Sequence, residues 1–321
     1  MSQSEPTFCL VLLLHDPLDR FVDAGVAERL IAGITSLEGC TELTVVNNSP
    51  GSAALRRYLR EVRAGQLRVI EAAENVGVGP GYNLALKGRR LEADYLVLLS
   101  SDTDVVGSDT LLRMHAAVAG TSEVGLAQPM SVFEDVDYLN AMPEYGLAAY
   151  QAFWRDRKEG EPVLDLTAGE IARVKAHVES SHGLLRPVNR LGFTFLLTKR
   201  AVWEALGEFD PSFPYCYENI DYLVRALRRG YQTAVVRGVF VNHRRPLVRV
   251  LCGAGFGAGA EDLYHEKYEE SERAWYAKWR MPPDRAVEIA LHGRVGAQLR
   301  RWRRRVRARA GAALRAAGLR S

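Results

Sequence analysis

The chain reads as an α/β protein: a doubly wound, mostly parallel sheet with helices on both faces, followed by a helical C-terminal extension. Three observations predict this. Apolar runs of strand length, at 8–14, 43–46, 67–70 and 95–99, alternate with stretches of helical spacing. The links between them are short, as βα units require. Each run also gives way to polar residues at its carboxyl end: His15-Asp16, Asn47-Asn48-Ser49, Glu74-Asn75 and Ser100-Ser101-Asp102. Right-handed crossovers place such ends along one edge, where ligands of open α/β sheets bind.

Taken in order, the first strand (8–14) is followed by a helix within 21–37, with Val22, Val26, Leu30 and Ile34 on one face. The second strand ends in Asn47-Asn48-Ser49-Pro50-Gly51, dense in turn formers. A second helix starts at Ser52 and buries Leu55, Leu59 and Val62. The third strand runs into Glu74-Asn75-Val76-Gly77-Val78-Gly79-Pro80-Gly81-Tyr82-Asn83, and a helix over 84–91 leads to the fourth. That glycine run is spaced GxGxG and follows a third strand, so it is not a dinucleotide fingerprint. It offers bare backbone at a helix N-terminus, where N–H groups can approach phosphate or sugar oxygens.

The fourth strand, YLVLLSSDTDVV, carries the main chemical signal. If the chain stays extended beyond Leu99, Asp102 and Asp104 point the same way. Two such carboxylates suit Mg²⁺ or Mn²⁺ held together with substrate phosphates. The competing reading makes one of them a helix cap. Further on come a strand-like piece (124–129) and an aromatic, polar stretch to about Pro187. That stretch holds a helix over 167–180, with Thr167 and Glu170 as a capping box. A strand over 191–197, a helix over 199–206 and a turn over 207–213 precede a helix opened by Glu218, Asn219 and Asp221. The last strand, 232–240, runs on to Asn242 and His243, and a histidine there can complete a metal site.

Composition sets bounds on function. In 321 residues, 47% are hydrophobic and 25% charged, as in soluble globular proteins. There is neither a membrane-spanning run nor the basic n-region of a secretory signal. Four scattered cysteines form no CxxC, which argues against zinc and disulfides and for a reducing, cytoplasmic setting. Net charge is +3, yet after Glu288 there are ten arginines and no acid, so the body is acidic and the tail basic. Val295, Leu299, Trp302, Val306 and Ala310 among those arginines describe an amphipathic cationic helix suited to an anionic membrane surface. The acidic body makes nucleic acid an unexpected partner.

Four motifs in sequence resemble the family 2 glycosyltransferases of GT-A fold, in particular their rhamnosyltransferase-like branch. They are VVNNSPG, ENVGVGPGYNLALK, YLVLLSSDTDV, and GFTFLLTKRAVWEALGEFDPSF followed by ENIDYLVRALRRGY and VFVNH. The resemblance covers roughly residues 7–245, with a looser echo at 268–279. It implies a GT-A-like nucleotide-sugar and acceptor domain over 1–245, with an insertion at about 133–187, and an extension over 246–321. The implied activity is a metal-dependent, inverting transfer of a hexosyl-type sugar from a nucleotide diphosphate donor. The acceptor would be a glycan or lipid-linked molecule of polysaccharide biosynthesis, at the inner face of the plasma membrane.

By the same resemblance, His15, Asp16, Asn48, Asn75, Gly77, Asn83 and Asp102 bind the nucleotide sugar. Asp102 with His243 holds the metal, and Asp104 is the possible second carboxylate. The family's usual catalytic aspartate falls on Asn219, whose amide cannot take a proton, so Asp221 or Glu218 is expected to be the base. A catalytically silent nucleotide-sugar-binding protein of a glycan-assembly complex is the alternative.

Overall fold

The structure is a computed structural model, and it describes residues 5–62, 67–131, 166–180, 182–186, 192–244, 247–248, 251–252 and 265–293. Strands are β1 (Phe8–Leu14), β2 (Cys40–Asn47), β3 (Leu67–Glu71), β4 (Tyr95–Ser100), β5 (Thr103–Val105), β6 (Val124–Ser131), β7 (Leu184–Leu185), β8 (Phe195–Lys199) and β9 (Gln232–His243). Helices are α1 (Val26–Thr35), α2 (Ala53–Val62), α3 (Val78–Leu86), α4 (Thr110–Val118), α5 (Ala168–Glu179), α6 (Arg200–Leu206), α7 (Glu218–Arg228) and α8 (His265–Trp279). A further helix covers 283–293.

All nine strands form one sheet in the order β3-β2-β1-β4-β8-β6-β9-β5, with β7 also on β9. The first four run parallel. β8 joins antiparallel to β4 and β6, while β6 and β9 are again parallel. β1 is buried along its whole length, and its alternate residues divide between two cores. Phe8, Leu10, Leu12 and Leu14 meet residues of α1, α2 and α4. Cys9, Val11 and Leu13 meet residues of α3, α6, α7 and α8. Period-two alternation sends successive side chains to opposite faces, so helices cover both, as expected for a doubly wound sheet.

Several boundaries differ from expectation, among them the strand expected over 191–197, which is β8 at Phe195–Lys199; two of the differences bear on the polar edge. α3 begins at Val78, inside the glycine run, because Gly77 (φ 93°) makes the turn and Gly79 and Gly81 are packed helical positions. After β4 the chain does not stay extended: residues 101–102 turn, and β5 pairs antiparallel with the end of β9.

The start of the C-terminal extension is not separate from the rest. Trp275, Trp279, Ala286 and Val287 lie in the same core as Tyr82 and Tyr222. The expected insertion falls largely outside the described residues, although α5 does carry the Thr167–Glu170 capping box. The glycine-rich stretch 253–259 and the basic helix beyond 294 also lie outside them. Among the described residues, no helix is long and apolar enough to cross a membrane.

Candidate active site

The carboxyl ends of β1, β2 and β3 form one polar edge, and there the expected donor residues chiefly hold one another. Asn48, 2% exposed, donates through Nδ2 to Asn75 Oδ1 and to the Gly77 carbonyl, both at 3.0 Å. Its Oδ1 accepts from Val76 N–H at 3.0 Å, and Asn75 Oδ1 also accepts from Gly77 N–H. This clasp fixes the turn into α3. A Cβ at Gly77 would lie 1.9 Å from the Pro214 carbonyl oxygen, so only glycine fits there. Val78 N–H donates to that same carbonyl at 2.9 Å.

Asp16 is fully buried, and its carboxylate accepts from the N–H groups of Arg20 and Phe21. Asn83 pairs reciprocally with the backbone of Phe209 at 2.8 and 3.0 Å. Both geometries are those of a brace. His15 lies at the edge with Nδ1 3.3 Å from Ser49 Oγ. Its pKa is lowered, first by burial, against a backbone hydrogen bond at Asn48, and further by the Lys267 charge. Sequence reading passed over Asp19, which stands at φ 56° and offers its carboxylate to the N–H groups of Ala53 and Ala54, capping α2 from a distance.

Asp102 and His243 come together as expected, with Nε2 and Oδ2 3.0 Å apart. Ser100 Oγ bonds the other oxygen of Asp102, and Arg244 N–H donates to its carbonyl at 2.7 Å. Burial opposes ionisation of Asp102, but the His243 charge and these hydrogen bonds outweigh it and bring the pKa to about 2. Asp104 does not join them, which corrects the expectation of converging carboxylates. In the β5–β9 register His243 opposes Thr103 and Asp104 opposes Asn242. Directly opposed residues share a face and successive ones alternate, so Asp104 is on the other face from His243. Nor does either acid cap a helix, since α4 starts only after Asp109.

Among the described residues, no group of three or more His, Cys, Asp or Glu side chains could hold a metal ion. The Asp102–His243 pair nevertheless fits one edge of an octahedral site. Neighbouring ligands about 2.1 Å from such an ion lie about 3 Å apart.

The two acids of α7 fare differently. Asp221 is wholly buried, and it accepts from Arg225 Nε (2.9 Å), Trp279 Nε1 (2.9 Å) and Lys278 Nζ (2.7 Å). With no exposed surface for an acceptor to reach and three donors on it, two of them cations, this carboxylate is an anchor, which corrects its expected role as base. Glu218 is 5% exposed, and its Oε2 has no hydrogen-bond partner among the described residues. Burial raises its pKa to about 7, against a small opposing backbone hydrogen bond.

The residues leading into α7, Cys216 and Tyr217, both stand at φ 65°. Two consecutive left-handed non-glycine residues store strain, and strain of this kind gathers at functional sites. The Tyr82 hydroxyl is buried and has no partner among the described residues; burial chiefly, and then the charges of Asp102 and Glu218, raise its pKa. That tyrosine, two residues past Pro80, links the two acids in space. Nothing in the sequence but its position after the glycine run could have flagged it.

No family model matches this chain, and no curated protein matches it. The chain is similar, at low identity, to several solved structures. A mannosyltransferase from Pyrobaculum calidifontis, in complex with GDP-Man and Mn²⁺, is 15% identical over 97% of this chain and 81% of its own, with a TM-score of 0.47. TarS residues 1–349 from S. aureus are 12% identical over 89% and 81%, with a TM-score of 0.47. GalNAc-T7, with UDP, GalNAc and Mn²⁺, is 14% identical over 87% and 52%, also at 0.47.

Proposed function

We propose that this protein is an inverting glycosyltransferase of GT-A fold, moving a sugar from a nucleotide diphosphate donor to an acceptor hydroxyl. The observation that carries the reading is Glu218. It is a buried carboxylate with one oxygen unengaged and a pKa of about 7, at the strained start of a helix beside the glycine turn. The Cβ position of Gly79 lies 3.2 Å from Glu218 Cβ, so turn and base are in contact. An inverting transfer needs a base that is half ionised near neutral pH and within reach of the acceptor proton, and the raised pKa and unengaged oxygen of Glu218 support it in the first of these. Its Oε2 takes the proton as the acceptor oxygen attacks the anomeric carbon, and the nucleoside diphosphate leaves from the other face.

The remaining residues divide the work of binding. The Asn48–Asn75 clasp keeps the Gly77 turn open to the donor, with His15 beside it and Asp16 and Asn83 bracing from behind. Asp102 and His243 would hold Mg²⁺ or Mn²⁺, whose charge would offset that of the leaving diphosphate. The acceptor is a glycan or lipid-linked molecule of polysaccharide biosynthesis at the cytoplasmic membrane face, with the basic stretch 292–321 resting on anionic lipid.

A panel of nucleotide sugars with Mn²⁺, followed by nucleotide release, tests the reading. Wild type releases the nucleoside diphosphate, and Glu218→Gln slows transfer by about 10²–10⁴-fold while still binding donor. Wild type that binds donor and metal yet neither hydrolyses nor transfers it would instead be a silent nucleotide-sugar-binding component of a glycan-assembly complex. Asn219 at the family's base position favours that second reading.

A further inference from the structure

The seven residues assigned to the donor, His15, Asp16, Asn48, Asn75, Gly77, Asn83 and Asp102, include no lysine or arginine. Burial and a neighbouring cation also hold His15 towards its neutral form. A nucleoside diphosphate carries at least two negative charges, and a site with carboxylates at 16, 102 and 218 repels it. Beside the metal proposed for Asp102 and His243, a side-chain cation comes from far along the chain.

α8 reaches back across the polar edge, and half-buried Lys267 in its first turn donates to the Asn75 carbonyl at 2.5 Å. That carbonyl belongs to the residue clasped by Asn48, at the mouth of the glycine turn. Independently, the Lys267 charge is felt at His15, on the neighbouring strand end. An ammonium has three N–H donors, and among the described residues Lys267 meets one neutral acceptor with them. Holding a flexible lysine there costs side-chain entropy, and a single neutral carbonyl offsets little of it.

We propose that Lys267 is a donor-binding residue that places its ammonium on the diphosphate of the nucleotide sugar. α8 is well suited to hold it. The helix is fastened to the start of α7 by Ser271 Oγ, which accepts from Tyr215 N–H, by the Tyr217–Tyr268 hydroxyl pair and by Trp279 on Asp221. The C-terminal extension thereby completes the donor site instead of merely covering it. The inference rests on the transferase reading, because it assigns the diphosphate of that donor.

The test is titration calorimetry on the full chain with ADP, CDP, GDP, UDP and dTDP, in MgCl₂ or MnCl₂. The nucleoside of whichever diphosphate binds serves as the uncharged control. Lys267→Met is expected to weaken the diphosphate about tenfold or more and leave the nucleoside unchanged. Lys267→Arg, which keeps the charge, retains most of the affinity, and the gap between the variants narrows as salt is added. Equal losses for diphosphate and nucleoside would reduce Lys267 to a brace of the Asn75 turn and overturn the inference. So would a Lys267→Met protein that binds the diphosphate as well as wild type. If wild type binds none of the five, the donor reading itself falls, and this inference falls with it.

Discussion

The edge formed by β1, β2 and β3 and the start of α7 are both rich in polar residues that point towards a ligand, yet they use them in opposite ways. At the strand ends the groups satisfy one another. Asn48 makes three hydrogen bonds within the turn it shapes, and Asp16 spends its carboxylate on two backbone N–H groups. At α7, Asp221 is held by three donors while Glu218, one turn earlier, keeps an oxygen without a partner among the described residues. A buried polar group left unpaired costs stability, so a fold that retains one has a use for it. On the proposed function, recognition at the strand ends would draw on rigid shape, and chemistry at α7 on a group held out of balance.

Substitutions can break this contrast. The largest effect should come from Asp221→Ala, which strands Arg225 and the Trp279 indole N–H in the core. Breaking a buried pair costs about 3–5 kcal/mol. The lower end applies, because Lys278 is 32% exposed and still reaches Asp210, and Arg225 keeps two carbonyls. Urea denaturation would show it; a loss below about 1 kcal/mol would mean that Asp221 is not the anchor described.

Glu218→Gln should do the reverse. The Glu218 pKa rises from 4.5 in an unstrained setting to about 7 when folded. Below pH 4.5 the acid is protonated in both states and costs nothing. Between 4.5 and 7 the unfolded chain ionises first, so stability falls as pH rises, and above 7 the full penalty stands, at most about 3 kcal/mol. The variant should thus gain stability at pH 8 and little at pH 4, while wild-type transfer climbs with pH through about 7. A variant no more stable at pH 8 than wild type would remove the argument for a strained base.

Smaller again is Asn48→Ala, expected to cost about 1–3 kcal/mol by leaving the Val76 N–H and Gly77 carbonyl unsatisfied. Hydrogen exchange at Val76 and Gly77 should quicken with it; unchanged exchange would place the rigidity of the turn elsewhere. Smallest for the fold is removal of residues 292–321, which should leave the melting temperature within a degree or two and abolish binding to anionic vesicles. Vesicle binding that persists would end the proposed role of the tail.

Much of the architecture could be read from the chain because local signals and tertiary demands coincide there. β1 runs over residues 8–14 as expected, since a strand buried on both faces shows an uninterrupted apolar run. β5 could not be read: it is three residues long, and its pairing with β9 joins segments about 140 residues apart. The same ladder decides that Asp104 leaves the face of His243, so no inspection of SSDTD could settle it. The distinction between Glu218 and Asp221 was equally hidden. Arg225, four residues on, could be read as a partner of Asp221, but its other partners, Lys278 and Trp279, lie more than fifty residues on. Lys267 carried no local mark at all.

The backbone contact between the Gly77 turn and Pro214 has a consequence for anyone re-engineering this protein. Gly77 cannot carry a side chain, Val78 is tied to the Pro214 carbonyl, and Asn83 is locked to Phe209. Residues 74–83 and 209–214 are thus two halves of one casting. A loop graft that changes the first to admit a different donor must import the second as well, and the lead-in to Glu218 travels with it. On the proposed function, donor choice and the setting of the base are therefore inherited together.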